Sequence, residues 1–409
     1  MRVLHTSDWH LGKRLEQCER TDEHQHFLDW LVQTIQEQQV EVLVIAGDIF
    51  DTGSPSNTAL KQYYDFLWHL RGSCCRDIVI IGGNHDSVST LNAPKALLRY
   101  FNVHVIGGAT ADIREEIIPI TGAAGNTQMV VCAVPFLRDK DIRLSVPGET
   151  YEEQEARLKQ GICTHYEELV VHIQPYKQQR IPVMAMGHLF AAGSSASDSE
   201  KEIHVGNLGQ ICGDQFPAEF DYVALGHLHR PQKVNGFQHI RYSGSPIPLS
   251  FSEVEDKKII IILDFADGQL TRLEEVQVPV CRKLVRFRGD LDKIRRHITT
   301  FDNSDYPYPA WVEIQVETEN FIHDLESQLM DFIGGKNHLQ FFTRQVRLAP
   351  AQALETTLPE MQQLHELQPK DVFRKKCETA FPAGDESDFS DLLGTFDELL
   401  ELMHQRESQ

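Results

Sequence analysis

Along its first 265 residues the chain repeats one pattern, a short apolar run that ends in a glycine or a polar cluster. The runs are 2–6 (RVLHT), 40–46 (VEVLVIA), 77–82 (DIVIIG), 102–107 (NVHVIG), 129–135 (MVVCAVP), 181–187 (IPVMAMG), 221–226 (DYVALG), 239–244 (HIRYSG) and 257–265 (KKIIIILDF). Their length and β-branched content read as strands. Stretches of helical period separate the early ones. In 23–38, Phe27, Leu28, Leu31, Val32 and Ile35 share one face. Strands alternating with helices predict an α/β sheet. The later runs lie closer together, which predicts a mixed rather than purely parallel sheet and admits two stacked sheets.

Beyond residue 280 the pattern changes. The order strand KLVRFRG, helix DLDKIRRHITTF, strand WVEIQVE, helix IHDLESQLMDFIG and strand LQFFTRQV predicts a compact second unit, and past Pro350 helix formers take over. The expected domains are therefore 1–280, 281–348 and a helical tail at 349–409. In the last helix Phe389, Leu392, Leu393, Phe396, Leu399, Leu400 and Met403 form an apolar stripe opposite an acidic face. Such a stripe packs either on its own domain or in a partner's groove. The polar stretch 191–201 reads as a surface loop.

Composition narrows the setting. The longest aliphatic run, 259–263, is far too short to span a membrane. The start MRVLHTSDWH lacks the apolar segment of a signal peptide, so a cytoplasmic location is expected. Eight cysteines without any CxxC pair read as reduced thiols. A formal charge of −21 argues against a broad surface that coats nucleic acid. One local exception exists: Arg282, Lys283, Arg286, Arg288, Lys293, Arg295 and Arg296 face only Asp290 and Asp292 in the same stretch.

Five of the apolar runs end in ligand-type residues, and in α/β sheets ligands collect at the carboxyl ends of strands. The first run supplies Asp8 and His10, the second Asp48 and then Asp51, the third Asn84, His85 and Asp86. The later ones supply His188 and the pair His227 and His229. Each motif alone is common. Taken together they exceed what one four-coordinate cation needs, which points to two cations sharing a carboxylate, an arrangement suited to displacement at phosphorus. Mixed oxygen and nitrogen donors leave manganese, iron and zinc in contention over an all-oxygen magnesium or calcium cage.

The ordered series D-x-H, G-D-x-x-D, G-N-H-D, G-H and G-H-x-H resembles the calcineurin-like metallophosphoesterase superfamily. With YSGSP at 242–246, the small α/β unit and the helical tail, it is similar to the nuclease branch of that superfamily. The resemblance implies an αββα sandwich with a small α/β capping domain and a C-terminal helical tail. It implies two divalent ions, with manganese as activator. Asp8, His10 and His229 would hold one, Asn84, His188 and His227 the other, and Asp48 would bridge. His85 would assist the leaving 3′ oxygen, Asp86 would orient a ligand, and Asp51 would orient or assist. Implied too are DNA substrates (double-stranded ends, hairpins and single strands), an SMC-like ATPase partner bound through the tail, a homodimer within a heterotetramer, and a nucleoid-associated location. The alternatives are a phosphomonoesterase or small-molecule phosphodiesterase of the same superfamily, and a DNA-binding regulator with a vestigial site. The sequence GDIFDTGSP lacks the arginine of the protein-phosphatase motif, which favours a diester.

Overall fold

The computed structural model describes residues 1–16, 18–122, 125–142, 148–191, 193–195, 210–318 and 324–348, with 373, 374, 392, 393, 395 and 396. Its main elements run β1 (Arg2–Thr6), α1 (Thr21–Glu37), β2 (Val42–Ala46), α2 (Asn57–Leu70), β3 (Asp77–Ile81), β4 (Val103–Ile106), β5 (Ile117–Thr121), β6 (Thr127–Ala133), α3 (Tyr151–Gln178), β7 (Val183–His188) and β8 (Tyr222–Gly226). They continue with β9 (Gln232–Lys233), β10 (Ile240–Tyr242), β11 (Ile259–Ala266), β12 (Gln269–Gln277), β13 (Leu284–Gly289), α4 (Leu291–Thr300), β14 (Ala310–Thr318), α5 (Leu325–Ile333) and β15 (Leu339–Leu348).

Two six-stranded sheets form the core, ordered β12-β11-β1-β2-β3-β4 and β9-β10-β8-β7-β6-β5. Both are mixed, as the strand spacing predicts. β1, β2, β3 and β4 pair in parallel, and β11 joins β1 antiparallel. In the second sheet β6, β7, β8 and β10 are parallel, with antiparallel β5 and β9 at the edges.

The residues of β2 show why the sheets stack. All five are buried, the signature of a strand covered on both faces. Val42, Val44 and Ala46 join the inter-sheet cluster with Met129, Val131, Met184 and Met186. Leu43 and Ile45 join Phe27, Leu31 and Phe66 under α1 and α2. Burying one such side chain contributes about 1.5–3 kcal/mol. The second sheet packs its outer face on α3 through Ile162, Tyr166 and Leu169. That 28-residue helix opens on a capping box in which Thr150 and Glu153 bond each other's backbone N–H.

The sheets approach closely beside the strand ends. A β-carbon on Gly226 would lie 1.8 Å from the Ala46 carbonyl oxygen and 2.9 Å from His188 Nδ1. We expect Gly226→Ala to cost at least about 1–3 kcal/mol through overpacking, read as a lower urea midpoint in equilibrium unfolding.

The three-stranded sheet β13-β14-β15 carries α4 and α5, in the order the sequence predicts for this segment. It meets the first sheet's layer through Leu15, Phe251, Leu284 and Trp311. Glu23 of α1 binds Arg20 Nε at 2.7 Å and lies 3.3 Å from Arg282 Nε. Both guanidiniums lie over the Trp311 ring, at 5.5 and 4.5 Å. Arg282 is thus committed inward, Arg286 pairs with Glu313, and Lys283 lies over Phe301 and Tyr306. The basic stretch is therefore partly consumed by its own fold.

By contact density, Met1–Val316 with His323–Val346 form one compact unit, and Glu317–Ile322 with Arg347–Gln409 a second. Within the second, the rings of Phe373 and Phe396 stack 4.1 Å apart. Most of the tail expected at 349–409, including Phe389, Leu399, Leu400 and Met403, lies outside the described residues, as does most of loop 191–201. Among the described residues no helix is long and apolar enough to cross a membrane.

Candidate metal centre

The loops that leave β1, β2, β3, β7 and β8 converge at one end of the two sheets, and their backbones are unusual. Asp8, His10, Asp48 and His227 have φ of +54°, +47°, +49° and +104°. Non-glycine residues held there cost of order 1–3 kcal/mol each and cluster at functional sites. Local bonds hold these conformations: the Asp8 N–H donates to the Gly47 carbonyl at 3.0 Å and the His10 N–H to the Asp48 carbonyl at 2.9 Å. The first and second loops are thereby locked side by side.

The side chains meet in the space so defined. Donor atoms of Asp8, His10 and His229 lie within 4.8 Å of one another, as do those of Asp8, Asp48 and His188, and those of His10, Asp51 and His85. Asp48 Oδ2 stands 3.5 Å from His10 Nε2 and 3.4 Å from His188 Nε2. Asn84 Oδ1 lies 2.9 Å from the same His188 nitrogen. The His227 N–H donates to Asp8 Oδ1 at 2.9 Å, and its ring lies 5.6 Å from that of His188. All nine predicted site residues therefore gather in one place.

Electrostatics here are those of charge lacking a counter-charge. Burial raises the Asp8 carboxyl to about 7. Burial would raise Asp48 as well, but His188, His10 and His85 outweigh it and hold that group well below the usual carboxylate range. Against burial, the Asp48 carboxylate lifts His188 to about 9. Burial presses His227 far below the ordinary histidine value, so its imidazole stays neutral. Both ring nitrogens of His10 are buried without a hydrogen-bond partner. An imidazole without a hydrogen bond at either nitrogen, each facing a carboxylate oxygen at 3.3–3.5 Å, fits a divalent cation, and the donor set is that of a divalent-metal centre.

His85 stands at the edge of this group. It is only half-buried, its N–H donates to Asp48 Oδ1 at 2.9 Å, and its Nδ1 lies 2.7 Å from the Asp51 carbonyl oxygen. A carbonyl only accepts, so Nδ1 carries the proton.

Two further carboxylates find their places. That of Asp86, expected to orient a histidine or water, accepts the N–H groups of Ile49, Phe50 and Gly83 at 2.9–3.1 Å, bracing the second loop against the third. The Asp51 carboxylate faces Lys13 Nζ at 3.0 Å and His10 Nδ1 at 3.3 Å, which makes it a partner of His10. The sequence reading missed Ser7, whose hydroxyl donates to Asp8 Oδ2 at 2.6 Å and touches Ser243 at 2.8 Å. It also missed a buried pair behind His229, Glu253 and Lys258. The YSGSP motif signalled Ser243, the partner of the first; no spacing signalled the second.

A family model described as calcineurin-like phosphoesterase matches residues 1–231, more than half of the chain. The chain belongs to the calcineurin-like phosphoesterase family. A second model, described as the type 5 capsule protein repressor C-terminal domain, matches residues 280–380. Among curated proteins, this phosphoesterase is 38% identical over 330 residues to the SbcD subunit of nuclease SbcCD from Escherichia coli K12, covering 80% of this chain and 81% of that one. It is 37% identical over 290 residues to the protein of the same name from Rhodobacter capsulatus, covering 68% and 70%. With that of Bacillus subtilis it shares 34% over 295 residues, covering 71% and 72%.

Proposed function

We propose that this phosphoesterase is a divalent-metal-dependent DNA nuclease, active as a 3′–5′ exonuclease on double strands, an endonuclease on single strands and a hairpin opener. The observation that carries the reading is the convergence of Asp8, His10, Asp48, Asn84, His188, His227 and His229 at one strand-end site, in a chain whose relatives are nuclease subunits. Asp8, His10 and His229 would hold one ion, Asn84, His188 and His227 another, with Asp48 between them and manganese as the metal. Divalent ions so held would lower the pKa of water and neutralise charge developing on a phosphate. The protein's part is to keep Asp48 ionised, His227 neutral and His85 poised with Nδ1 tied to the Asp51 carbonyl.

The unit 281–348 would guide DNA, with Arg288, Lys293, Arg295 and Arg296 exposed on β13 and α4 and suited to phosphate contacts. The tail, 349–409, would bind an SbcC-type SMC-like ATPase, and two such chains would pair within the complex. The test is cleavage of an end-labelled DNA hairpin by the purified chain, with and without that ATPase, in manganese and in magnesium. Manganese-dependent cutting is expected. A chain that leaves DNA intact yet hydrolyses a small phosphate ester would overturn the substrate.

A further inference from the structure

We infer that Glu253 and Lys258, with the loop Tyr242–Pro246, form a buried frame that fixes the ring and tautomer of His229 for metal binding; both are positioning residues. The inference rests on the proposed role of His229 as a ligand.

Glu253 Oε1 lies 3.3 Å from His229 Nδ1. A carboxylate that faces one ring nitrogen keeps the proton there and commits Nε2 to the cation. The carboxylate is itself held from several sides. Its Oε2 accepts from the Leu249 N–H at 3.1 Å, the Ser245 hydroxyl at 3.4 Å and the Lys258 ammonium at 2.5 Å. Lys258 closes the circuit, donating to the His229 carbonyl at 2.9 Å and to Ser245 Oγ at 3.0 Å. Both ends of His229, ring and carbonyl, are thus gripped by one ion pair, with Glu253 0% and Lys258 3% exposed.

The loop enters the same frame. Gly244 has φ +74°, and a β-carbon there would lie 2.6 Å from the His229 carbonyl oxygen. Glycine therefore lets the loop pass against the histidine, so that the Ser245 N–H reaches the same carbonyl at 3.1 Å. On the other side Ser243 touches Ser7, which holds Asp8. One loop accordingly steadies two residues of a single proposed ion position.

An ion pair buried this deeply is hard to explain by stability alone, because removing two charges from water costs about as much as their attraction returns. That separates the two roles experimentally. A purely structural pair can be replaced by neutral groups at both positions, whereas a positioning carboxylate cannot.

The test is calorimetric titration of Mn²⁺ into the intact metal-free chain, with the visible spectrum of the Co²⁺ form as a second readout. Glu253→Gln is expected to weaken binding about 10–100-fold, the range for losing a residue that orients a metal ligand, and to alter the Co²⁺ spectrum. The double variant Glu253→Gln with Lys258→Met, which leaves no unpaired buried charge, is expected to fold and to stay equally weak. Wild-type affinity in either variant would overturn the inference. If the wild-type chain itself takes up neither ion, it is the proposed function that falls.

Discussion

Replacing Asp48 with alanine is expected to strip the protein of its bound divalent ions and to abolish cleavage, while the fold survives. Its carboxylate stands between two donor groups, with Oδ2 within 3.5 Å of both His10 and His188. Among the described residues no other carboxylate is placed to serve both as a firm anion. Asp8 groups with His10 and His229 and with His188, but in the proposed arrangement it is already engaged at the first ion position. The fold should tolerate the change because Asp48 lies in the loop beyond β2, outside the apolar clusters that form the core. Elemental analysis after dialysis against manganese, beside circular dichroism, gives the answer. A full complement of metal in the variant would remove Asp48 from the shared position. Asp48→Asn refines the point, since it retains an oxygen to accept the His85 N–H but not the charge.

How much of this was readable beforehand follows from what each signal depends on. The doubly buried strands announce themselves because a strand covered on both faces must be apolar throughout, as 42–46 is. The candidate site residues were legible because strand ends are where an α/β sheet gathers chemistry, and five such ends carried aspartate, asparagine or histidine. Helix α3 was passed over, although Thr150 and Glu153 form a capping box at its start; Gly161 and Pro175 interrupt its pattern and lower its apparent helicity. The edge strands β5 and β12 were missed because one-sided or exposed strands carry a weak apolar signal. The backbone amides that Asp86 accepts were not legible, because adjacency in sequence says nothing about which amides turn inward. Glu253 and Lys258 were invisible for the opposite reason: charged residues read as surface, and only tertiary structure shows that each buries the other.

The second large effect belongs to His85. His85→Gln is expected to leave the metal content unchanged and to lower the turnover of DNA by about 10²–10⁴-fold, the usual contribution of a positioned proton donor. The expectation starts from where His85 sits. It is half-buried, like the neighbouring Asn84, and its Nδ1 is tied to the Asp51 carbonyl at 2.7 Å. With that nitrogen committed as a donor, a protonated Nε2 is an acid that can give its proton to a departing alkoxide. Glutamine can keep the bond to the Asp51 carbonyl through its amide N–H, so the loop stays in place, but it cannot deliver a proton at neutral pH. The choice of substrate then isolates the proton from the geometry. A sugar 3′ oxygen is a poor leaving group and needs protonation, whereas nitrophenolate departs unaided. His85→Gln should therefore lose far more activity on DNA than on a nitrophenyl phosphodiester, with Km for the small ester little changed. Equal losses on both substrates would assign His85 to charge stabilisation at the phosphate instead, and wild-type cleavage of DNA by the variant would remove it from the reaction.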